Sequence, residues 1–344
     1  MRLIGSGTTL DALVACLRGE PPTAADWSAV FALANRTLLT PALYGALSRA
    51  RRLDALPDDG RDYLAFLHAR NVERNTRLRA QLIEAVGELN KFEIEPILLK
   101  GAVRLFCDAE GIIGDRITRD LDLAVDEAEG ENAAECLRCL GYRDASGTRG
   151  MERPQDVGVL ELRHRPSALS AAYLPRERQE RPRLITRAAV RAKIPSATSR
   201  AQHWIVHDLI KEGDYWRGCI DLRHLHDLAE LERTEGGVDW IYIRDSMPDQ
   251  LGRNAVETQL LTLHSLFRTD IPPALRDRAI VHLQHQRRMI TARHPLAGAP
   301  LRFAGNLAWG IRRLGEANSV TLLPGQLASK VFRNLVGRPG DWKL

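Results

Sequence analysis

Residues 116–125 read Arg-Ile-Thr-Arg-Asp-Leu-Asp-Leu-Ala-Val, an apolar run that carries two acids. Two further runs rich in Leu, Ile and Val lie on either side of it, at 97–99 and 157–162. Short runs of this composition between turn-forming residues are typical of buried strands. The three runs predict a small sheet, and the middle run fixes which charged side chains share one of its faces.

Asp120 and Asp122 are expected on the same face of the middle strand, because side chains alternate between the two faces of a sheet. Their Cα atoms would then lie about 6.6 Å apart. Glu161, in the third run, supplies a third carboxylate from an adjacent strand. Mg²⁺ binds one or two carboxylates and leaves its other positions to water and substrate phosphates. The pattern therefore predicts a divalent metal site. The residues that alternate with the acids are predicted to point into the core: Leu121, Leu123 and Val125.

A solvated strand edge is the plainer interpretation of the two acids, since Asp-x-Asp alone is weak evidence. Three features favour the metal site. The pair lies within an apolar run, where an unpaired charge is costly. A strand, a glycine and a predicted helix over 101–108 come before it. Arg116 and Arg119 lie just upstream and are placed to meet phosphate.

Four motifs in a fixed order resemble a known family. They are Leu98-Leu-Lys-Gly101, Arg116-x-x-x-Asp-Leu-Asp-Leu-x-Val125, Leu140-Gly-Tyr142 and Glu161-Leu-x-His164. Over about residues 85–270 the chain resembles the uncharacterised bacterial nucleotidyltransferases of the polymerase β-like superfamily. The resemblance implies an α+β fold, predominantly helical overall. Its small mixed β-sheet nucleotidyltransferase core would be flanked by N- and C-terminal helical regions.

The resemblance also implies roles for individual residues. Gly101 would be the glycine of the phosphate loop, Asp120 and Asp122 the catalytic metal ligands, and Glu161 the third catalytic and metal-binding carboxylate. The chain departs from the family pattern at two of the implied positions. Ala102 stands where many relatives have Ser, and Glu161 stands where Asp is commoner.

Backbone N–H groups at a helix start favour anions, and a glycine lets a phosphate approach them closely. The nucleotide phosphates are therefore expected beside Gly101 and Ala102. Lys100, Arg116 and Arg119 are the candidate charge partners. For Lys100, a strand-end lysine that reaches solvent is an equally supported alternative.

The 344 residues carry 49 Lys and Arg against 44 Asp and Glu, a net charge of +5. This mild excess does not by itself indicate nucleic acid, but it suits anionic substrates such as nucleoside triphosphates. The hydrophobic fraction of 44% and the charged fraction of 27% are those of an ordinary globular protein. Disorder is therefore not expected for the chain as a whole.

Five scattered cysteines argue against a disulfide scaffold and for a reducing compartment. Cys136 and Cys139 form a single C-x-x-C within a helical pattern, which favours core cysteines over a redox or zinc pair. No apolar run approaches the length of a membrane span. A cytoplasmic location is therefore expected.

Ten Lys or Arg residues fall between positions 163 and 200, against two Glu. Such a run is usually a solvated face. The alternative is that part of it faces a triphosphate or a polyanionic acceptor. Tyr173 is the one aromatic in this segment, so stacking on RNA bases is not favoured.

The histidines between 203 and 226 have spacings that can bind zinc: His203, His207, His224 and His226. No Glu follows His203 to complete a His-Glu-x-x-His motif. A structural role is therefore favoured, either in buried hydrogen bonds or in lining an acceptor pocket.

Punctuation by Pro and Gly and the periodicity of apolar residues, together with the core that the resemblance implies, predict four regions. They are an N-terminal helical region at 1–90, the nucleotidyltransferase core at 91–175, a C-terminal helical domain at 176–292 and an amphipathic tail at 293–344. Helices are predicted over 58–90, 101–108, 129–140, 200–231, 255–267 and 274–289.

The leading hypothesis is an Mg²⁺-dependent nucleotidyltransferase that moves an NMP group from a nucleoside triphosphate to an acceptor and releases pyrophosphate. Two Mg²⁺ ions are expected, with Mn²⁺ as the alternative. A small-molecule or peptide acceptor is favoured over nucleic acid. Two alternatives stay open: a catalytically silent nucleotide-binding or interaction protein on the same fold, and a toxin-type transferase that modifies RNA or protein. A dehalogenase-type phosphatase fits less well, because Ala124 stands where that class needs Thr.

Overall fold

The computed structural model of the protein describes four stretches of chain: 6–145, 150–165, 167–175 and 180–317. The described residues form two compact units. Residues 39–202 make up one, here called the sheet unit. The other, the helical unit, combines 6–38 with 203–317. The four predicted regions remain a prediction.

Helices are numbered along the chain. They are α1 (Ser6–Leu17), α2 (Trp27–Arg36), α3 (Thr40–Arg49), α4 (Asp58–Lys91), α5 (Gly101–Cys107), α6 (Gly130–Cys139), α7 (Ala168–Tyr173), α8 (Ala197–Ile205), α9 (Asp214–Arg217), α10 (Leu222–Thr234), α11 (Trp240–Asp245), α12 (Gln250–Phe267), α13 (Ala279–Arg293) and α14 (Pro295–Ala317). Short 3₁₀ turns cover Leu53–Ala55, Glu110–Ile112, Glu127–Glu129 and Pro273–Leu275.

Seven strands pair into one mixed sheet within the described residues. They are β1 (Ile97–Leu98), β2 (Asp120–Ala124), β3 (Arg143–Asp144), β4 (Met151–Glu152), β5 (Val159–Arg163), β6 (Arg183–Arg187) and β7 (Val190–Ile194). Their order across the sheet is β3-β4-β5-β2-β1-β7-β6. β2 is parallel to β5 and antiparallel to β1. The expected α+β architecture, mostly helical with a small mixed sheet, is confirmed.

The core of the sheet unit lies between the sheet and the helices α4, α5 and α6. The long helix α4 begins with Asp58 and Asp59 and ends at Lys91, charges that suit the two ends of a helix dipole. Its buried apolar stripe packs in the same cluster as β2. The residues predicted to be buried in and directly after β2 are so: Leu121, Leu123 and Val125. The acids of β2 alternate with this apolar set.

Strands β6 and β7 are absent from the sequence prediction, which expected a charged face in this segment. They form an antiparallel hairpin at the edge of the sheet, and β7 also pairs with β1. The turn residues Ala188 and Ala189 both have positive φ, at 48° and 65°. Such turns normally carry Asn or Gly, so an Ala-Ala pair gave no hairpin signal. Two arginines of the basic run, Arg176 and Arg178, lie outside the described residues.

The helical unit contains α1 and α2 together with α9–α14. The predicted continuous helix over 200–231 is interrupted. A π-helical segment spans Val206–Lys211, and left-handed glycines at 213 and 218 bound the short helix α9. The predicted amphipathic tail begins at the last residue of α13 and includes α14, and its part from 318 onwards lies outside the described residues. None of the helices in the described part of the chain combines the length and the apolar character that a bilayer crossing requires.

Candidate metal and nucleotide site

The structure brings the three predicted carboxylates together. Asp122 on β2 is the register partner of Glu161 on β5, so both side chains lie on the same face of neighbouring strands. Asp120 lies two residues earlier on β2 and shares that face. One oxygen from each of the three carboxylates lies within 4.8 Å of the others. This spacing suits a divalent cation with oxygen ligands.

Two cations contact this cluster. Lys100 Nζ lies 2.9 Å from Asp122 Oδ1. The Nη2 atom of Arg163 donates to Asp122 Oδ1 at 2.7 Å and to Glu161 Oε2 at 2.6 Å. The Asp122 side chain is 1% exposed, whereas that of Arg163 is 33% exposed. Asp122 therefore lies at the buried base of the site, and Arg163 lies closer to solvent.

The second oxygen of Asp122, Oδ2, is buried and has no hydrogen-bond partner within the described parts of the chain. Burial raises the pKa of this carboxyl; Lys100 opposes the rise, Asp120 adds to it and Arg163 opposes it. A buried carboxylate oxygen without a partner is costly in a folded protein. A divalent cation would remove this cost, so the donor set fits the metal that the sequence predicts.

Lys100 holds its position with an unusual backbone. Its φ is 48° and its ψ is −121°, a combination that L-residues rarely adopt, and it caps the start of α5. The preceding residue is tied to β2, since Leu99 N donates to Asp122 O at 3.0 Å. Non-glycine residues in such conformations cluster at functional sites. The residue with this strained backbone is the one whose ammonium group contacts Asp122.

Gly101 lies under the loop that leads into β2. A Cβ atom at this position would lie 2.7 Å from Thr118 Cγ2 and 2.8 Å from Arg116 Nη1. The buried guanidinium of Arg116 therefore packs directly over the glycine. Asn71 and Asn75 of α4 fix the same loop by donating to the carbonyl oxygen of Arg116, at 3.1 and 2.8 Å. Glycine is required here by close approach rather than by a left-handed backbone.

The remaining predicted phosphate residues differ in their surroundings. Ala102 is fully buried, and its backbone N–H donates to Leu99 O at 3.1 Å, so it contributes to packing of the loop. Arg119 lies next to Arg74 of α4: burial and then Arg119 lower the pKa of Arg74, while Asp120 raises it. Positive charge from two elements therefore gathers beside Asp120.

Sequence reasoning missed Arg163 and Arg74 as members of the site. Arg163 lies two residues after Glu161, so the alternation along β5 places both on one face. That signal was available, but the basic run was interpreted as a solvated surface. Arg74 lies on α4, 46 residues before Asp120 in the chain. Only the packing of α4 reveals its place, and no sequence pattern indicates it.

The helical unit holds a second cluster of polar side chains, formed by His207, Asp208 and His224. Asp208 Oδ1 lies 3.0 Å from His207 Nδ1 and 2.9 Å from His224 Nδ1. Burial lowers the pKa of His224, but the carboxylates of Asp208 and Asp221 outweigh it, and the net shift is upward. The network gives both imidazoles hydrogen-bonding partners, as the structural interpretation of these histidines requires.

None of the five cysteines, all within the described residues, forms a disulfide. Cys136 is buried and Cys139 is exposed, so only the first is a core cysteine. The expectation of two core cysteines is wrong for Cys139. The two positions are three apart on α6, yet they face different environments.

Comparison with known proteins agrees with the site. A search of curated proteins found no match, and neither did a search of solved structures. The model of one family, described as uncharacterised nucleotidyltransferase, matches residues 23–268. The matched region is well over half of the chain and includes the whole sheet unit with its three carboxylates. The chain therefore belongs to the uncharacterised nucleotidyltransferase family.

Proposed function

We propose that the protein is an Mg²⁺-dependent nucleotidyltransferase that moves an NMP group from a nucleoside triphosphate to an acceptor. The observation that carries the proposal is the buried Oδ2 of Asp122, which has no partner among the described residues and lies within a cluster of three carboxylates. A structural acid at this depth would be expected to have both oxygens paired. Membership of the family supplies the reaction class.

Asp120, Asp122 and Glu161 are the proposed metal ligands and catalytic residues. Two bound Mg²⁺ ions, or Mn²⁺ in their place, would neutralise charge on the phosphates and lower the pKa of an acceptor hydroxyl. Glu161 is 30% exposed, and we assign it the role of accepting the acceptor's proton. In the reaction, the acceptor oxygen bonds to the α-phosphorus. The bond from that phosphorus to the bridging oxygen breaks, and pyrophosphate leaves.

The basic residues around Gly101 are proposed to bind the triphosphate. Arg116 packs over Gly101, and Lys100 lies beside Asp122, so a phosphate near the metal ligands meets both charges. Arg119 is the third proposed partner, with Arg74 beside it. Guanidinium groups pair well with phosphate oxygens. Ala102 is proposed to shape the loop rather than to bind phosphate itself.

A small molecule or peptide is the proposed acceptor, and ATP is one of the four candidate nucleotides. The absence of disulfides among the five cysteines supports a proposed cytoplasmic location. A second candidate function is a catalytically silent nucleotide-binding protein. It is favoured by one observation: Arg163 bridges Asp122 and Glu161, the two carboxylates that a metal would join.

The test is a mass-spectrometric screen for transfer. Purified protein and Mg²⁺ are incubated with ATP, GTP, CTP or UTP, with and without cell extract. Asp122→Asn is the inactive variant, and Glu152→Gln, an exposed acid on β4 of the same sheet, is its matched control. We expect pyrophosphate and a nucleotidyl mass on an acceptor with the wild type and Glu152→Gln only. Nucleotide binding without transfer would contradict the proposal and favour the silent protein.

A further inference from the structure

Arg163 contacts two carboxylates with one nitrogen atom. Its Nη2 lies 2.7 Å from Asp122 Oδ1 and 2.6 Å from Glu161 Oε2, and these carboxylates come from neighbouring strands. The guanidinium therefore lies between the two oxygens, on the face of the sheet that carries all three acids. A divalent cation bound by these same two oxygens would occupy this position.

A guanidinium and a divalent ion cannot share this position. Mg²⁺ binds oxygen at about 2.0–2.1 Å. An ion at that distance from Asp122 Oδ1 and Glu161 Oε2 would lie against Nη2, which touches the same two oxygens. Close contact would be opposed by sterics and by the repulsion between two positive charges. Binding of metal by this pair of oxygens therefore requires Arg163 to move.

The surroundings of Arg163 allow its side chain to move away, whereas the side chain of Lys100 is less free to move. The Arg163 side chain is 33% exposed, while that of Lys100 is 16% exposed and is fixed by the backbone at the start of α5. Without the guanidinium, Asp122 and Glu161 would be two adjacent carboxylates. The ammonium group of Lys100 would still contact Asp122. Arg163 thus supplies the charge that the metal-free pair lacks.

We propose that Arg163 is a positioning residue that takes the place of the metal. In the metal-free protein it neutralises and orders the Asp122–Glu161 pair, and the incoming ion displaces it. This inference rests on the proposed function, because it requires the carboxylates to bind metal. In the alternative role, Arg163 would stay bound to both carboxylates and hold them in place for the ion. The two roles give opposite effects on metal affinity when the side chain is removed.

The experiment is a titration of Mn²⁺ without nucleotide, followed by the electron paramagnetic resonance signal of the free ion. The variants are Arg163→Ala and, in case it folds poorly, Arg163→Gln. Arg165→Ala is the matched control, since Arg165 is a neighbouring arginine that is 72% exposed and pairs with Glu127. We expect Mn²⁺ to bind Arg163→Ala about ten-fold more tightly or better, the equivalent of one charge-assisted hydrogen bond. Arg165→Ala should match the wild type.

A thermal melt gives an independent reading. In EDTA, Arg163→Ala should melt below the wild type, and saturating Mn²⁺ should raise its melting temperature by more than it raises that of the wild type. Weaker or unchanged Mn²⁺ binding in both Arg163 variants would overturn the inference and leave the metal site intact. If neither the wild type nor Arg163→Ala binds Mn²⁺, the result would overturn both the proposed function and the inference.

Discussion

Asp122 and Glu161 face each other across the parallel pair β2 and β5, and one nitrogen of Arg163 donates to both carboxylates. The pairing depends on strand register, because a slip by one residue would turn Glu161 to the opposite face of the sheet. The site is therefore built by the sheet itself. The acids are held by the paired strands. Of the basic groups around them, Arg163 comes from β5 and Arg74 from α4, while Lys100 precedes α5.

Replacing Asp122 by Asn should separate stability from function. Burial raises the pKa of this carboxyl above its ordinary value despite Lys100 and Arg163, so the fold disfavours its charged form. The neutral amide should therefore raise the melting temperature at pH 7 in EDTA, while Mn²⁺ binding is lost. Thermal melts with and without Mn²⁺ measure both effects, with Glu152→Gln as the control. A variant that melts lower than the wild type in EDTA would contradict this expectation. It would show that the ion pairs of Asp122 with Lys100 and Arg163 stabilise the fold by more than burial of the charged carboxylate costs.

Two substitutions of Lys100 should differ in stability but not in function. Lys100→Met removes the ammonium group and keeps a side chain at φ 48°, while Lys100→Gly also relieves the backbone. Lys100→Gly should be more stable than Lys100→Met by about 1–2 kcal/mol, the usual cost of such a conformation. Both should lose nucleotidyl transfer. Urea unfolding and the transfer assay measure the two effects. Equal stability of the two variants would contradict the strain at this position.

A methyl group on Gly101 should disturb the loop that carries Arg116. The added Cβ would lie 2.7 Å from Thr118 Cγ2, too close for an unstrained contact. We expect Gly101→Ala to cost about 1–3 kcal/mol of stability and to weaken nucleotide binding. Gly111→Ala is the matched control, since a Cβ there would meet no atom of the described residues within 4 Å. Urea unfolding and nucleotide titration of both variants provide the measurement. Similar behaviour of the two alanine variants would argue against close packing at Gly101.

Stability of the helical unit should fall as the pH is lowered from about 6.5 towards 4. Burial, with Arg288, His282 and Arg293, lowers the pKa of His285 to about 4. The unfolded chain therefore takes up a proton at a higher pH, near 6.5, than the folded protein does. His285→Asn should lose less melting temperature between pH 7 and pH 5 than the wild type. His294→Asn, an exposed histidine directly after α13, is the control, and equal losses in wild type and His285→Asn would contradict this assignment.

Alternation along β2 and β5 was sufficient to predict which acids meet. Leu121 and Leu123 are buried and Asp122 and Glu161 share the other face, as the period of two requires. The helices α4, α5 and α6 were predicted within a residue or two, because their apolar periodicity and terminal residues agree. These features depend on local sequence patterns, which are visible in a single sequence.

Other features depend on contacts that no local pattern encodes. The β6–β7 hairpin turns through Ala188 and Ala189, so the Asn or Gly that usually marks such a turn in a sequence is missing. Arg74 reaches the site only because α4 packs beside the β2 loop, and the strained backbone of Lys100 is imposed by its neighbours. Arg163 is the intermediate case, since its face was predictable from Glu161 although its contact with Asp122 was not.

Diffraction at the manganese absorption edge tests the central proposal most directly, with crystals that contain Mn²⁺ and a non-hydrolysable nucleoside triphosphate. The account predicts anomalous density bound by Asp120, Asp122 and Glu161, with the triphosphate beside Gly101 and the Arg163 guanidinium displaced from between the carboxylates. Anomalous density elsewhere, or a nucleotide bound while Arg163 still joins Asp122 to Glu161, would contradict it.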